Sequence, residues 1–490
     1  MRTFLPLSLV SPLAWCVSGI VADNGRIPVY RVPRPRSSYR QNLDVHTDLS
    51  LDTSNQFAYL VHVGIGGQDF AVLLDTGSSD LWVVSSDCTV DDCAGVRKYR
   101  ETPTYNSSNV GFDLNYLMGN VSGTVGSETV TLGGFEVSSQ IFAVANQTNG
   151  LGLHGTGNSG IMGLSFPAEA SIPSTAGRTV VENLLSAFND SSRRFFAFKL
   201  GRDETSSSFT IGQLDPAYAN STGDLTYNPV YASGGSLYDY WKLPLRSLTV
   251  NGTSFSLSKS RVDGAPAPIA VLDTGTTLVL GPTKDVARFW ESVGGARQTT
   301  RGWEVPCNRA VVVGMVLGEG DTQKEYTVDP ADISWKEGSV GDGWCLGGVQ
   351  GNDGVRLRCL FFHIPSFACI HRFIVTGALT LPLPLQVFSA DWLLGDTFLR
   401  NVYVTHHAAT DSQPPRIGLR GLTDPTIALA AFTDDRGADP GGPAQVRAHA
   451  DHTSTLTGGG ICGVAAASGF VAGVVILVLV FTFTGYRRKY

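Results

Sequence analysis

Two aspartates stand in nearly identical surroundings in this chain of 490 residues. Asp75 ends the apolar run 72–74 and Asp273 ends the apolar run 270–272, and each is followed by Thr, Gly and two hydroxyl residues. A single Asp-Thr-Gly is also an ordinary turn, because Asp and Gly favour turns. The repeat of the whole pattern instead predicts two related halves that each contribute one carboxylate. Two carboxylates that meet and share a proton can activate a water molecule, which is the chemistry of acid proteolysis.

A second pattern is repeated, because an apolar-apolar-Gly segment follows each aspartate, at 161–163 and at 393–395. With this pair the chain resembles the pepsin-like aspartic proteases of family A1, in which such a strand frames each catalytic loop. The resemblance covers roughly residues 55 to 422 and includes LLGDTFLR at 393–400, which is close to the signature of the family. It implies an all-β, bilobal pepsin-like fold, with two lobes related by a pseudo-two-fold axis and an active-site cleft between them.

Composition agrees with many short strands, because 56 Gly and 24 Pro supply frequent turns. The clearest helical patterns are at 179–188 and 284–293, and both are predicted to be short surface helices. We place the N-terminal lobe at 53–245 and the C-terminal lobe at 246–422.

The resemblance assigns the catalytic role to Asp75 and Asp273, which need neither a metal nor a cofactor. Neighbouring residues hold the two loops together or orient the carboxylates; they are Thr76, Gly77, Ser78, Thr274, Gly275 and Thr276. In this interpretation the two threonines after the aspartates hydrogen-bond across the lobe junction. The expected enzyme is a monomeric endopeptidase that cleaves extended polypeptides at acid pH and is inhibited by pepstatin-type peptides.

The flap, a hairpin that closes over substrate in this family, is expected around Tyr116. Its hydroxyl is expected to meet the indole N–H of Trp82, and Met118 and Ile161 are further expected substrate contacts. The apolar pair Leu117-Met118 predicts a preference for apolar side chains next to the cut. The alternative function is a catalytically impaired, membrane-anchored binding protein, although such a protein would be expected to have lost an aspartate or the tyrosine.

The two ends of the chain predict a location in the secretory pathway. Residues 1–22 are interpreted as a signal peptide, with a signal anchor as the alternative. Residues 23–52 contain five Arg and no Lys, and resemble a basic pro-segment that pairs with an acidic body; a disordered basic arm is the alternative. The whole chain carries 43 acidic and 36 basic residues, a net charge of −7, which argues against nucleic acid as a partner.

The C-terminal part predicts a single membrane anchor. Residues 461–485 are uncharged and would span about 37 Å as a helix, enough for a bilayer core of about 30 Å. The basic residues in 486–490 predict a cytoplasmic tail, and a glycolipid-anchor signal is the alternative. Residues 423–460 are predicted to be a flexible stalk. The arrangement is that of a type I, fungal-type enzyme at the plasma membrane or cell surface, or on the vacuolar membrane.

The cysteines and glycosylation sequons are consistent with a location in the secretory pathway. The resemblance implies the disulfides Cys88–Cys93 and Cys307–Cys345 and leaves Cys359–Cys369 as a further pair, although four cysteines in the second lobe allow three pairings. A zinc site is the weaker interpretation, because the spacings lack a Cys-x-x-Cys pair. Six Asn-x-Ser/Thr sequons are present, at Asn106, Asn120, Asn146, Asn189, Asn220 and Asn251.

Two segments depart from the family pattern. Residues 355–385 lengthen the second lobe, and we interpret them either as a surface insertion closed by its own disulfide or as a translated, retained intron. His406-His407 replaces an aromatic-Asp pair, and we interpret it as a surface feature rather than a metal site.

Overall fold

The computed structural model describes residues 26–33, 57–203, 206–219, 225–336, 342–353, 390–439 and 441. The predicted signal peptide, the segment 355–385 with Cys359–Cys369, and the predicted anchor at 461–485 lie outside these residues. Within the described part of the chain, no helix has both the length and the apolar character needed to cross a bilayer.

Strands dominate the described residues. In chain order they are β1 (Ile27–Pro33), β2 (Phe57–Ile65), β3 (Gln68–Asp75), β4 (Leu81–Val84), β5 (Asn106–Asn115), β6 (Asn120–Leu132), β7 (Phe135–Asn149), β8 (Gly160–Gly163), β9 (Phe195–Lys199), β10 (Ser208–Ile211), β11 (Thr226–Pro229), β12 (Lys242–Val250), β13 (Thr253–Phe255), β14 (Ile269–Leu272), β15 (Val279–Gly281), β16 (Arg297–Thr299), β17 (Gly302–Pro306), β18 (Val313–Leu317), β19 (Lys324–Val328), β20 (Ser334–Trp335), β21 (Trp344–Gly347), β22 (Val349–Gly351), β23 (Trp392–Leu394), β24 (Val402–His407) and β25 (Arg416–Gly421).

The helices are short. They are α1 (Leu153–Thr156), α2 (Val180–Ser186), α3 (Pro216–Ala219), α4 (Thr283–Val293), α5 (Pro330–Ile333), α6 (Asp396–Leu399) and α7 (Pro425–Arg436). The two predicted helices are present as α2 and α4. Helix α2 begins at a capping box, in which the Thr179 hydroxyl accepts from the Glu182 amide and the Glu182 carboxylate accepts from the Thr179 amide.

One arrangement of four strands occurs twice. In the first half β3 pairs in parallel with β8, β4 pairs antiparallel with β8, and β4 pairs in parallel with β7. In the second half β14, β23, β15 and β22 repeat these pairings in the same order. Asp75 ends β3 and Asp273 directly follows β14, so the two aspartates occupy equivalent places. The duplicated all-β architecture expected from the sequence is therefore confirmed.

A shared sheet joins the two halves of the chain. Strand β24, from the C-terminal half, lies between β25 and β9, and β9 continues through β10 and β1 to β2 and β3. Strand β12 pairs with β13, β14 and β18 of the second half, so the boundary predicted between residues 245 and 246 falls inside a C-terminal strand and belongs before Lys242. One continuous apolar core includes side chains from both halves, which holds the lobes together.

The predicted pro-segment contains a strand of this shared sheet. Strand β1 pairs with β10 at one end and with β2 along the rest, and its Ile27 and Val29 are buried. Arg26 forms an ion pair with the buried Asp215, and the Arg31 guanidinium donates to the Arg202 carbonyl. This part of the segment therefore supplies a strand in the middle of the sheet, and its role as a removable pro-segment stays a prediction.

The predicted flexible stalk is corrected in its first part, because residues 425–436 form helix α7. The Asp424 carboxylate caps its first turn, and Pro425 occupies the first helical position, where no backbone N–H is needed. At the other end the Arg436 guanidinium donates to the carbonyls of Cys307 and Ser334. This helix is therefore tied to the second lobe and any flexible stalk begins after it.

Both disulfides assigned to described residues are present, with Cys88 bonded to Cys93 and Cys307 bonded to Cys345. The sequons are consistent with the glycosylation prediction, which stays untested. Four of their asparagines are exposed, at Asn106, Asn120, Asn146 and Asn189. Asn251 is partly buried in the β12–β13 turn, where its side-chain oxygen accepts from the Val312 amide, and Asn220 lies outside the described residues.

The pair His406-His407 was wrongly interpreted as a surface feature. Both imidazoles are buried in β24, and the His406 ring stacks on Phe196 at 4.6 Å and packs edge-on against Trp241 at 4.8 Å. Neither ring nitrogen of His406 has a hydrogen-bond partner among the residues that the structure describes. Burial, and then the neighbouring His407, hold the pKa of His406 well below its usual value of 6.5. His406 is therefore a neutral member of the core.

This burial predicts that the folded protein loses stability as the pH falls below 6.5. Below this pH, His406 is protonated in the unfolded chain but stays neutral in the folded protein. The free energy of unfolding therefore falls by about 1.4 kcal/mol for each pH unit. We compare the free energy of unfolding of His406→Phe with that of the natural chain, measured by urea unfolding at pH 7.5 and pH 4.5. We expect this difference to shift in favour of the variant by about 2.5 kcal/mol between the two values of pH. Two parallel pH dependences would contradict this expectation.

Candidate active site

The two aspartates are held by matching sets of hydrogen bonds. Asp75 Oδ1 accepts from the Gly77 amide at 2.8 Å, and Asp75 Oδ2 accepts from the Ser78 hydroxyl at 2.6 Å. Asp273 repeats both bonds, at 2.8 Å from the Gly275 amide and at 2.6 Å from the Thr276 hydroxyl. Each carboxylate is thus fixed by the loop that follows its own strand, as the sequence predicted for the hydroxyl residues.

The threonines after the aspartates bind the two loops to each other. The amide of each threonine donates to the hydroxyl of the other: Thr76 N to Thr274 Oγ1, and Thr274 N to Thr76 Oγ1, both at 3.0 Å. Each hydroxyl in turn donates to a carbonyl across the junction, at 2.8 Å to Leu272 and at 2.6 Å to Leu74. Four buried hydrogen bonds therefore fix the geometry of the two loops, as expected from the resemblance.

Glycine is required after each threonine because the opposite carboxylate lies against it. A methyl group added at Gly77 would lie 2.5 Å from Asp273 Oδ1, and one added at Gly275 would lie 2.5 Å from Asp75 Oδ1. Any larger residue would push the opposite carboxylate away. The two glycines thus allow the carboxylates to approach each other.

Electrostatics couples the two carboxylates into one titrating unit. Asp75 is 4 % exposed and Asp273 is 7 % exposed. Burial, and then the charge of Asp273, raise the pKa of Asp75 to about 7, and burial also raises the pKa of Asp273. Two buried carboxylates this close cannot both ionise readily, so the pair shares one proton across the acidic range.

The flap is the hairpin of β5 and β6 with its turn at residues 116–119. The Tyr116 amide donates to the Gly119 carbonyl at 2.7 Å and closes this turn. The Trp82 indole N–H donates to the Tyr116 hydroxyl at 2.8 Å, which is the contact expected from the sequence. Burial, and then the charge of Asp75, raise the pKa of Tyr116 well above its usual value, so its hydroxyl stays protonated.

The tip of the flap reaches the second lobe. Leu117 packs against an apolar group that we call the second-lobe cluster, which surrounds the Asp273 loop; its buried members are Tyr240, Val262, Ile269, Val271, Leu278, Leu280, Trp335, Leu346, Ala390 and Leu393. Met118 lies beside it and is partly buried. Ile161 is buried in a first-lobe core with Trp82, and Tyr116 packs against that core. The substrate contact expected at Ile161 stays a prediction.

The flap bond predicts a measurable effect. We expect Tyr116→Phe to lower kcat/KM by roughly fivefold, because one hydrogen bond that positions the flap, worth about 1 kcal/mol, is lost. Tyr105→Phe, a matched change at a tyrosine of the same lobe outside the flap turn, is expected to leave kcat/KM within about twofold. Steady-state cleavage of a synthetic peptide measures both. Equal values for the two variants would contradict the assigned role of Tyr116.

Sequence reasoning missed one polar contact beside this site. The Tyr240 hydroxyl donates to Glu169 Oε2 at 2.6 Å. No local motif marks either residue, and 71 positions separate them.

Comparison with known proteins agrees with this geometry. The sequence profile of the family described as eukaryotic aspartyl protease matches residues 56–360. The chain belongs to this family. It is accordingly an aspartic endopeptidase.

Three curated relatives illustrate the similarity. The major aspartyl peptidase 1 of Cryptococcus neoformans var. grubii is 29 % identical over 376 residues, covering 73 % of this chain and 67 % of its own length. Embryonic pepsinogen of Gallus gallus is 27 % identical over 383 residues, covering 77 % and 83 %. Pepsin A of Callithrix jacchus is 31 % identical over 358 residues, covering 72 % and 79 %.

Proposed function

We propose that this aspartic endopeptidase cleaves extended polypeptides at acid pH with Asp75 and Asp273 as its catalytic pair. The observation that carries the proposal is the shared environment of the two buried carboxylates. Each lies against the glycine of the opposite loop, and burial raises the pKa of both. Such a pair holds one proton and one negative charge at acid pH, as the hydrolysis of an amide requires.

The chemistry follows from this single proton. The ionised carboxylate takes a proton from a water molecule as the water oxygen attacks the scissile carbonyl carbon. The protonated carboxylate gives its proton to the carbonyl oxygen, which leaves a neutral diol. One diol hydroxyl then returns a proton, the leaving nitrogen is protonated, and the C–N bond breaks. No covalent bond between enzyme and substrate is formed.

The pH range follows from the same groups. Because the pKa of Asp75 is raised to about 7, the pair keeps its one proton up to near neutral pH. Activity is therefore proposed to fall as the pH rises above about 7, when the second carboxylate ionises. At the acid end activity falls when both carboxylates are protonated.

A preference for apolar residues next to the cut is supported by the flap tip. Leu117 and Met118 form this tip, and Leu117 already contacts the second-lobe cluster beside Asp273. An apolar substrate side chain would bury its surface in the same place. A peptide bound along the flap would lie as an added strand, held by backbone hydrogen bonds.

A location in the secretory pathway is supported by the two disulfides, which form in oxidising compartments. We propose that the enzyme acts at the cell surface or on the vacuolar membrane, anchored by residues 461–485. The proposal for the anchor rests on the sequence alone, because these residues lie outside the described part of the chain.

Secretion of residues 23–450 and digestion of an unfolded protein between pH 3 and pH 7 test the function. We expect cleavage that pepstatin abolishes, with apolar residues beside most cut sites. A folded, glycosylated product that cleaves nothing would instead support the binding-protein alternative. Dominant cleavage after Lys or Arg would contradict the apolar preference.

A further inference from the structure

Glu169 is a carboxylate near the first catalytic loop but outside the catalytic pair. The chain segment that leads to Glu169 is hydrogen-bonded to that loop, because the Leu164 amide donates to the Asp75 carbonyl at 2.7 Å. Glu169 ends a single 3-10 turn at Pro167–Glu169, and its Oε2 accepts from the Tyr240 hydroxyl at 2.6 Å. The side chain is partly buried and partly open to solvent.

Its partner Tyr240 lies in the chain segment that pairs with the strand leading to Asp273. Tyr240 precedes Trp241, whose carbonyl accepts from the Leu272 amide at 2.9 Å, directly before Asp273. Tyr240 is a buried member of the second-lobe cluster, against which Leu117 of the flap packs. Burial, and then the charge of Glu169, raise the pKa of Tyr240 well above its usual value, and the charge of Asp273 adds a smaller contribution. The Glu169 carboxylate therefore lies between the chain segments that carry the two catalytic aspartates.

Among the described residues, no cation of the protein forms an ion pair with this carboxylate. The nearest candidate is Lys242, but its ammonium group is fully buried and lies 2.6 Å from Asp239 Oδ1, with further bonds to Asp239 Oδ2 at 2.8 Å and to the Ser233 hydroxyl at 2.6 Å. Asp239 thus balances Lys242. Glu169 has one hydrogen bond to a neutral hydroxyl and no ion pair within the described part of the chain.

We propose that Glu169 selects a Lys or Arg side chain of the bound polypeptide, at a position away from the two residues that flank the cut. The residues flanking the cut meet the dyad and the flap tip, whereas Glu169 contacts the second-lobe cluster at the hydroxyl of Tyr240. A partly desolvated carboxylate without a cationic partner gains more from a substrate cation than an exposed one does. This inference rests on the proposed function.

The selection depends on pH. Burial is the main cause that raises the pKa of Glu169 to about 7; in this net value the hydrogen bond from Tyr240 and the charge of Lys242 act to lower the pKa, and the charge of Asp239 acts to raise it. Glu169 is therefore neutral at pH 4 and gains charge as the pH approaches 7, and a bound cation lowers its pKa and promotes ionisation. Because the catalytic pair keeps its proton to about the same pH, the preference changes within the active range.

Matched peptide pairs test the proposal on the full-length chain. Each pair differs only by Lys or norleucine at one of the four positions on either side of the cut, and kcat/KM is measured at pH 4 and pH 6.5. We expect one position outside the two flanking residues where Lys is favoured by roughly tenfold at pH 6.5 and by less than about twofold at pH 4. In Glu169→Gln the ratio is expected to be near one at both values of pH.

Glu136→Gln is the matched control, because it makes the same chemical change at an exposed residue of β7 and should keep the ratio of the natural chain. Both peptides are digested by the same sample, so the ratio does not depend on the fraction of folded enzyme. Tyr240→Phe, which keeps the carboxylate but removes its hydrogen bond, should retain a Lys preference.

Three results would overturn the inference. They are a Lys preference that persists unchanged in Glu169→Gln, a preference that does not weaken at pH 4, and the absence of any position that favours Lys. A natural chain that cleaves no peptide would contradict the proposed function itself, and the inference would fail with it. Cleavage without a Lys preference would leave the proposed function standing and reject only the role of Glu169.

Discussion

Asp273→Asn is expected to lower kcat for peptide cleavage by about 10³-fold or more, because an amide can neither take a proton from water nor share one with Asp75. The fold should survive, since the Asn side-chain oxygen can still accept from the Gly275 amide. Without the charge of Asp273, the pKa of Asp75 should also fall from about 7. Steady-state kinetics on a synthetic peptide from pH 3 to pH 7 measures the loss.

Asp80→Asn provides the matched control for this prediction. Asp80 is also buried, lies five residues after Asp75, and accepts from the amides of Ser171 and Ile172 at 2.7 and 3.1 Å rather than meeting the dyad. We expect this variant to keep at least about a tenth of the natural kcat. More than a tenth of the natural kcat in Asp273→Asn would exclude the assigned mechanism.

Thr274→Val is expected to destabilise the protein by about 3 kcal/mol. The Thr274 hydroxyl accepts from the Thr76 amide and donates to the Leu74 carbonyl, and a methyl group leaves both backbone groups buried without a partner. Each unsatisfied group costs about 1–3 kcal/mol. Because the same bonds fix the two catalytic loops, kcat should fall as well, by roughly tenfold or more. Urea unfolding and peptide kinetics measure the two effects.

Thr274→Ser separates the hydroxyl from the methyl group. Serine keeps both hydrogen bonds, so we expect its stability and kcat to stay close to the natural values, with a loss of about 1 kcal/mol at most. If the valine and serine variants lost equal stability, the packing of the methyl group, rather than the two hydrogen bonds, would hold the lobes at this point.

The pairing of the two aspartates could be predicted from the sequence because its determinants are local and repeated. Asp75 and Asp273 each follow an apolar run. The glycine two residues later in each motif has no side chain, so the opposite carboxylate can lie against it. The contact between Trp82 and Tyr116 and the two disulfides followed from the family pattern carried by the same segments. Such features depend on short stretches of chain, so a single sequence can display them.

The sequence contains a local start signal for helix α7 that the composition of the segment obscures. The composition of residues 423–460 is typical of a flexible linker, yet Asp424 followed by Pro425 is a usual start of a helix. What holds the end of this helix is Arg436, through carbonyls of Cys307 and Ser334 far away in the sequence. Composition alone therefore favoured the wrong state for this segment.

The sequence by itself determined the duplicated all-β fold, the aspartate pair and the flap, because each depends on periodicity or on a motif within a few residues. Only the tertiary structure decided that His406 lies in the core and that Glu169 meets Tyr240. Burial and partnership of a polar side chain depend on which distant strands pack against it, as Phe196 and Trp241 pack on His406. No local pattern encodes that packing, since it arises only when both halves of the chain have folded together.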